Sequence, residues 1–101
     1  MHVFWTRAAL HHLEAIQDHI AQESPLAAYR LALELTERTN LNLTEHPMMG
    51  RKGRAKGTRE LILAETSYIV AYRVMPGRVE ILAVVHAARD CPKQFGPKQF
   101  G

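Results

Sequence analysis

Two hydrophobic periods run along this chain. Leu10, Leu13, Ile16 and Ile20 follow one another at spacings of three, three and four, which is one face of a helix. His11, His12, Glu14, Gln17, Asp18 and Gln22 fill the opposite face. Ahead of them, Thr6 is placed to cap that helix, and Val3-Phe4-Trp5 is a short strand-forming stretch. Ser24-Pro25 restarts the helical pattern, with serine as cap and proline at the first position, where a missing N–H costs nothing. The second helix is predicted from Pro25 to about Thr44, with Ala28, Leu31, Ala32 and Leu35 inward and Leu41 and Leu43 near its end; His46-Pro47 stops it. So short a link makes the two helices an antiparallel hairpin.

Past a segment punctuated by Pro47, Gly50, Gly53 and Gly57, read as a loop over 47–58, the period changes to two. Arg59–Ala64, Tyr68–Val74 and Val79–His86 are predicted strands, joined by turns at Glu65-Thr66-Ser67 and Met75-Pro76-Gly77-Arg78. Neither turn is long enough for a crossover, so the three form an antiparallel meander. Strict alternation places Val79, Ile81, Ala83 and Val85 against the hairpin and Glu80, Leu82, Val84 and His86 on the far face. Leu82 and Val84 would then mark an apolar docking patch for a second chain. The expected fold is α+β: an N-terminal strand and an antiparallel helical hairpin packed on a three- to four-stranded antiparallel sheet. Its expected core holds Leu13, Ile16, Leu31, Leu35, Ile81 and Val85. One domain is expected over residues 1–95 and a flexible tail over 96–101, within which the repeat Pro92-Lys93-Gln94-Phe95-Gly96, Pro97-Lys98-Gln99-Phe100-Gly101 carries no assigned role.

Composition narrows the function classes. At 101 residues the chain is one domain, with room for one shallow site rather than separate substrate and regulatory sites. No apolar run exceeds five residues, against the ~20 of a membrane helix, and Met1–Trp5 lacks the pattern of a secretory leader; a cytoplasmic protein with no membrane partner is expected. The single cysteine, Cys91, excludes an internal disulfide and a multi-cysteine metal site, so neither metal nor cofactor is expected. A formal charge of +3 suits an acidic partner, whether protein or nucleic acid.

Arg51, Lys52, Arg54, Lys56 and Arg59 place five cations within nine residues, spaced by Gly53, Ala55 and Gly57. Phosphate contact needs such charges, and glycine lets a backbone approach closely; a solvated basic loop has the same composition. His86 and Arg89 lie at and just past the last strand. Metal-free RNA cleavage needs an acid, a base and cations around the phosphorane, and His86 with Arg89 and Arg59 is the set this chain offers. The alternative is a strand-end histidine and a surface or partner-contacting arginine. His11, His12 and His19 on the first helix read as a solvated face, and Tyr68 and Tyr72 share a strand face with Val70 and Val74, as core residues do. Cys91 shows no sign of activation.

The strings Trp5-Thr6-Arg7-Ala8-Ala9-Leu10, His46-Pro47-Met48-Met49-Gly50-Arg51, Gly57-Thr58-Arg59-Glu60-Leu61, Tyr68–Val74 and Val79–Asp90, in this order, resemble the RelE/ParE toxin superfamily over Val3 to about Phe95. The resemblance implies the toxin of a type II toxin–antitoxin, or plasmid stabilisation, system: a growth inhibitor silenced by a co-encoded antitoxin, which itself contacts operator DNA. RelE-type members cut messenger RNA on the ribosome; ParE-type members inhibit DNA gyrase. Glu60, Ile62 and Ile69 stand where RelE-type members carry cations, and Phe95 stands near their C-terminal tyrosine, so the resemblance leans to the gyrase inhibitor. The alternatives are a ribosome-dependent endoribonuclease and a toxin fold that has lost its toxicity. On the leading reading the basic segment, Arg51 to Arg59, contacts the target, and Leu82, Val84 and Arg89 contact the antitoxin.

Overall fold

The computed structural model describes residues 1–89. Its elements are β1 (His2–Trp5), α1 (Arg7–Ala21), α2 (Pro25–Glu45), β2 (Arg51–Lys52), β3 (Arg59–Ile62), β4 (Tyr68–Met75) and β5 (Arg78–His86). Asp90, Cys91, Phe95 and the PKQFG repeat lie outside the described residues. Both helix starts follow the capping chemistry of the sequence: the Thr6 hydroxyl accepts from Ala9 N–H, and the Ser24 hydroxyl accepts from Ala27 N–H with Pro25 opening the helix.

The helices lie on one face of a five-stranded sheet of order β1-β5-β4-β3-β2. β2 through β5 run antiparallel as a meander, but β1 joins the far edge parallel to β5, with Val3 opposite Val79 and Trp5 opposite Ile81. The sheet is therefore mixed, not antiparallel throughout. A parallel pair needs a long crossover, and the whole helical hairpin belongs to that crossover. Thr6 fixes the junction: its N–H and its hydroxyl both donate to Ile81 C=O. The expected loop 47–58 is also not wholly irregular, because Arg51-Lys52 pairs with Arg59-Glu60 as a short edge strand.

A β-bulge corrects the expected alternation. Tyr72 pairs with Ile81, but Ala71 pairs with Ala83, so Leu82 has no opposite residue and the two faces exchange beyond it. Val79 and Ile81 point to the helices, and so does Val84, which is 3% exposed within the core cluster. Val85, paired with Ile69, goes to the opposite face. Val84 therefore takes the core place that strict alternation gave to Val85. Of the other expected core residues, Ile16, Leu35 and Ile81 are buried, and Leu13 and Leu31 pack against them half-buried. Tyr68 and Tyr72 are buried in the same cluster.

Candidate interaction surfaces

The sheet face turned away from the helices carries two buried carboxylates, each held by two arginines. Glu60 on β3 accepts from Arg51 and from Arg54, both at 3.0 Å. Glu80 on β5 accepts from Arg73 at 2.8 Å and from Arg78. Both carboxylates are 7% exposed, whereas the four guanidiniums are roughly half-exposed. Burial pushes the Glu60 carboxyl up, but the hydrogen bonds from Arg51 and Arg54 and the Arg54 charge together hold it below the ordinary range. The Arg73 hydrogen bond, aided by Arg78, does the same for Glu80 against its burial. Each trio carries a net charge of +1 and presents guanidinium edges in fixed positions. Beside them, Ile62, Ile69, Ala71, Ala83 and Val85 form the apolar part of the same face. Arg78 also lies over the Phe4 ring, 5.8 Å from its centroid.

The basic segment does not form one patch. Strand alternation across β2 and β3 sends Arg51, opposite Glu60, to the open face, and Lys52, opposite Arg59, to the side of the helices. Arg59 Nη1 donates to Gly50 C=O at 2.7 Å and to Met48 C=O at 3.2 Å, which ties the end of the loop after α2 to the sheet. Tyr72 completes that tie: its hydroxyl accepts from Gly50 N–H and donates to Pro47 C=O, both at 2.8 Å. Burial raises the Tyr72 hydroxyl above its ordinary pKa despite the Gly50 N–H and the Arg59 charge, so it stays a neutral donor. The hairpin between β2 and β3 closes through Gly53 N–H to Thr58 C=O and turns at Gly57, whose φ of +80° lies in the left-handed region. Lys56 is exposed at its tip.

The candidate RNA-cleaving set is likewise dispersed. Arg59 lies opposite Tyr72 on β4, and His86 lies opposite Tyr68 on the other side of that strand. Four residues at ~3.3 Å and two strand spacings of ~4.8 Å put their backbones about 16 Å apart. His86 Nδ1 accepts from Ala88 N–H and Arg89 N–H, and its ring meets Tyr68 edge-on with centroids 5.2 Å apart. Arg89 instead shares a depression with His12, His19 and Val84 beside α1. His12, read from the sequence as solvated, accepts from Val84 N–H at 3.2 Å, on the β5 edge that β1 is too short to cover. Sequence reasoning missed Glu60, Arg73, Arg78 and Glu80 as a set. The available signal was a glutamate at the second position of each of two predicted strands, where an unpaired buried carboxylate would be costly.

Among the described residues, no group of three histidine, cysteine or acidic side chains could hold a metal ion, and no helix is long and apolar enough to cross a membrane. Residues 3–91 match the family model described as the ParE toxin of the type II toxin–antitoxin system parDE. The chain is 42% identical over 89 residues to the putative toxin Y4kP of Sinorhizobium fredii, covering 88% of this chain and 91% of that one. It is 45% identical over 87 residues to the toxin RelE2 of Caulobacter vibrioides, covering 86% and 96% respectively. A solved structure described as the chromosomal ParDE toxin–antitoxin system from P. aeruginosa superposes with a TM-score of 0.78 at 27% identity, covering 85% of this chain and 95% of that one. With sequence match, element order and three-dimensional superposition in agreement over nearly the same span, the chain belongs to the ParE toxin family of type II toxin–antitoxin systems.

Proposed function

We propose that this toxin arrests growth by binding DNA gyrase, without catalysing a reaction, and that a cognate antitoxin silences it in the cytoplasm. The observation that carries the reading is the separation of Arg59 from His86 by about 16 Å of sheet. General acid–base cleavage of RNA requires the acid, base and charge-stabilising groups to converge on one phosphate. Here the only histidine of that set caps a turn through Nδ1, Arg59 lies two strands away on β3, and Arg89 follows β5 beside α1. A binding inhibitor has no such requirement. Lys52, Lys56 and Arg59 supply a basic margin for the target.

The antitoxin reading follows from the open face. Four arginines anchored on Glu60 and Glu80 lie beside Ile62, Ile69, Ala83 and Val85, with Leu82 at the bulge. That combination fits an acidic, amphipathic segment, and the likeness to a ParDE system supports a co-encoded antitoxin as its source. Arg89 is assigned to the same partner. Val84 contributes from within the core, not as a contact. Operator DNA is reached only through the antitoxin.

The test is a gyrase supercoiling assay with the purified chain, alongside primer extension on a reporter messenger after induction. Loss of supercoiling with an uncut messenger is expected. Codon-positioned cuts with supercoiling untouched would replace this reading by ribosome-dependent RNA cleavage.

A further inference from the structure

The margin of the sheet beyond the helices holds a concavity of about 370 Å³ lined by Met48, Lys52, Gly57, Thr58, Arg59 and Val74. It lies on the opposite side of the sheet from the two glutamate clamps, because Lys52 and Arg59 are paired across β2 and β3 and share a face, while Arg51 and Glu60 share the other. We propose that this concavity is a binding site for a phosphoryl group carried on a body of nucleotide size.

Charge is the first argument. Arg51 and Arg54 are both paired with Glu60, and that carboxylate faces away. Neither Lys52 nor Arg59 forms an ion pair among the described residues, so two cations meet at the concavity with no acid to balance them. A phosphate dianion matches both; a carboxylate leaves one charge uncompensated.

Preorganisation is the second. Arg59 Nη1 is fixed by the carbonyls of Gly50 and Met48, which lock the guanidinium plane. Nε and Nη2 have no partner among the described residues, and together they form the two-donor edge that fits phosphate oxygens side by side. Because the plane is already held, little side-chain freedom is lost on binding.

Shape is the third. The volume sits at the small end of the ~300–1,000 Å³ of small-molecule sites, enough for one nucleotide-sized group. Met48 and Val74 supply apolar walls beside the cations, and an exposed methionine adapts to a flat ring. Above Gly57 a Cβ would meet nothing within 4 Å, so its backbone is open to approach.

The proposal is independent of the gyrase reading and is tested by binding, not toxicity. The full chain is titrated with inorganic phosphate, a nucleoside 5′-monophosphate, the matching nucleoside, and a short single strand bearing a 5′-phosphate, with amide NMR as the readout. Saturable shifts of Lys52, Gly57 and Thr58 are expected with every phosphorylated compound and not with the nucleoside. Lys52→Glu, a change at an exposed edge position, should weaken binding roughly tenfold or more, while Arg30→Glu, the same charge change on the exposed surface of α2, should leave it within about twofold. Tightest binding of the mononucleotide would identify a free nucleotide as the source; tightest binding of the strand would identify a nucleic-acid end. Equal weakening by Lys52→Glu and Arg30→Glu, equal binding of the nucleoside, or no saturable shift would overturn the site.

Discussion

The Tyr72 hydroxyl stands where a side chain at Gly50 would have to go: a Cβ built on Gly50 would lie 2.5 Å from that oxygen and 2.7 Å from the ring. The same hydroxyl accepts from Gly50 N–H and donates to Pro47 C=O, so one buried tyrosine closes the loop between α2 and β2 from β4. Gly50→Ala is expected to destabilise by about 1–3 kcal/mol through overpacking. Tyr72→Phe should cost about 1–3 kcal/mol because it leaves a buried N–H without its acceptor. In the double variant the oxygen clash disappears but the ring contact stays, so the two losses should sum to less than their separate values in urea unfolding. Strict additivity would show that the two residues do not share this space.

The bulge at Leu82 makes an ordered prediction about its neighbours. Val84→Ala should destabilise by about 2–3 kcal/mol, from two methyl groups at ~0.8 kcal/mol each plus the cavity left behind. Val85→Ala, on the half-buried open face, should cost less. The reverse order in thermal unfolding would restore the simple alternation read from the sequence.

Acid should weaken the fold through Glu60 and Glu80. Both carboxyls are held below their ordinary value of 4.5 in the folded chain, so their contribution is complete above that pH and is lost as pH falls through the lowered folded values. Unfolding midpoints measured from pH 6 downward should fall progressively. Glu60→Gln combined with Glu80→Gln should flatten the part of that slope these groups supply. An unchanged slope in the double variant would assign the acid sensitivity elsewhere.

Thr39 is fully buried in α2, and its hydroxyl has no hydrogen-bond partner among the described residues. An unpartnered buried hydroxyl opposes folding, and valine has nearly the same shape. Thr39→Val should leave stability unchanged or raise it by about 1 kcal/mol. A clear loss in denaturant unfolding would reveal a partner for that oxygen.

His86→Ala separates the two candidate mechanisms in cells. A binding inhibitor should keep most of its growth arrest, with a small loss of stability as the turn at Ala88 and Arg89 loses its acceptor. A nuclease that uses this imidazole should lose toxicity by two orders of magnitude or more, since general acid–base catalysis contributes roughly 10²–10⁴-fold. Colony counts after induction, compared at equal protein level, decide between them.

Both helices, their caps at Thr6 and Ser24 and the three central strands were legible in the sequence, because each depends on residues within one or two turns of chain. Resemblance to the RelE/ParE superfamily was legible for a related reason, as it rests on short strings in a set order. Tertiary structure alone decided what depends on distant partners. The parallel pairing of Val3 with Val79 joins residues 76 positions apart. A single unpaired residue, Leu82, exchanged Val84 and Val85 between the faces, and nothing in a run of apolar residues marks where such a slip falls. The basic segment looked like one patch because sequence counts charges without direction. Pairing Arg51 with Glu60 and Lys52 with Arg59 turned it into two surfaces, one clamped on a carboxylate and one without, because neighbouring strand residues point to opposite sides of a sheet.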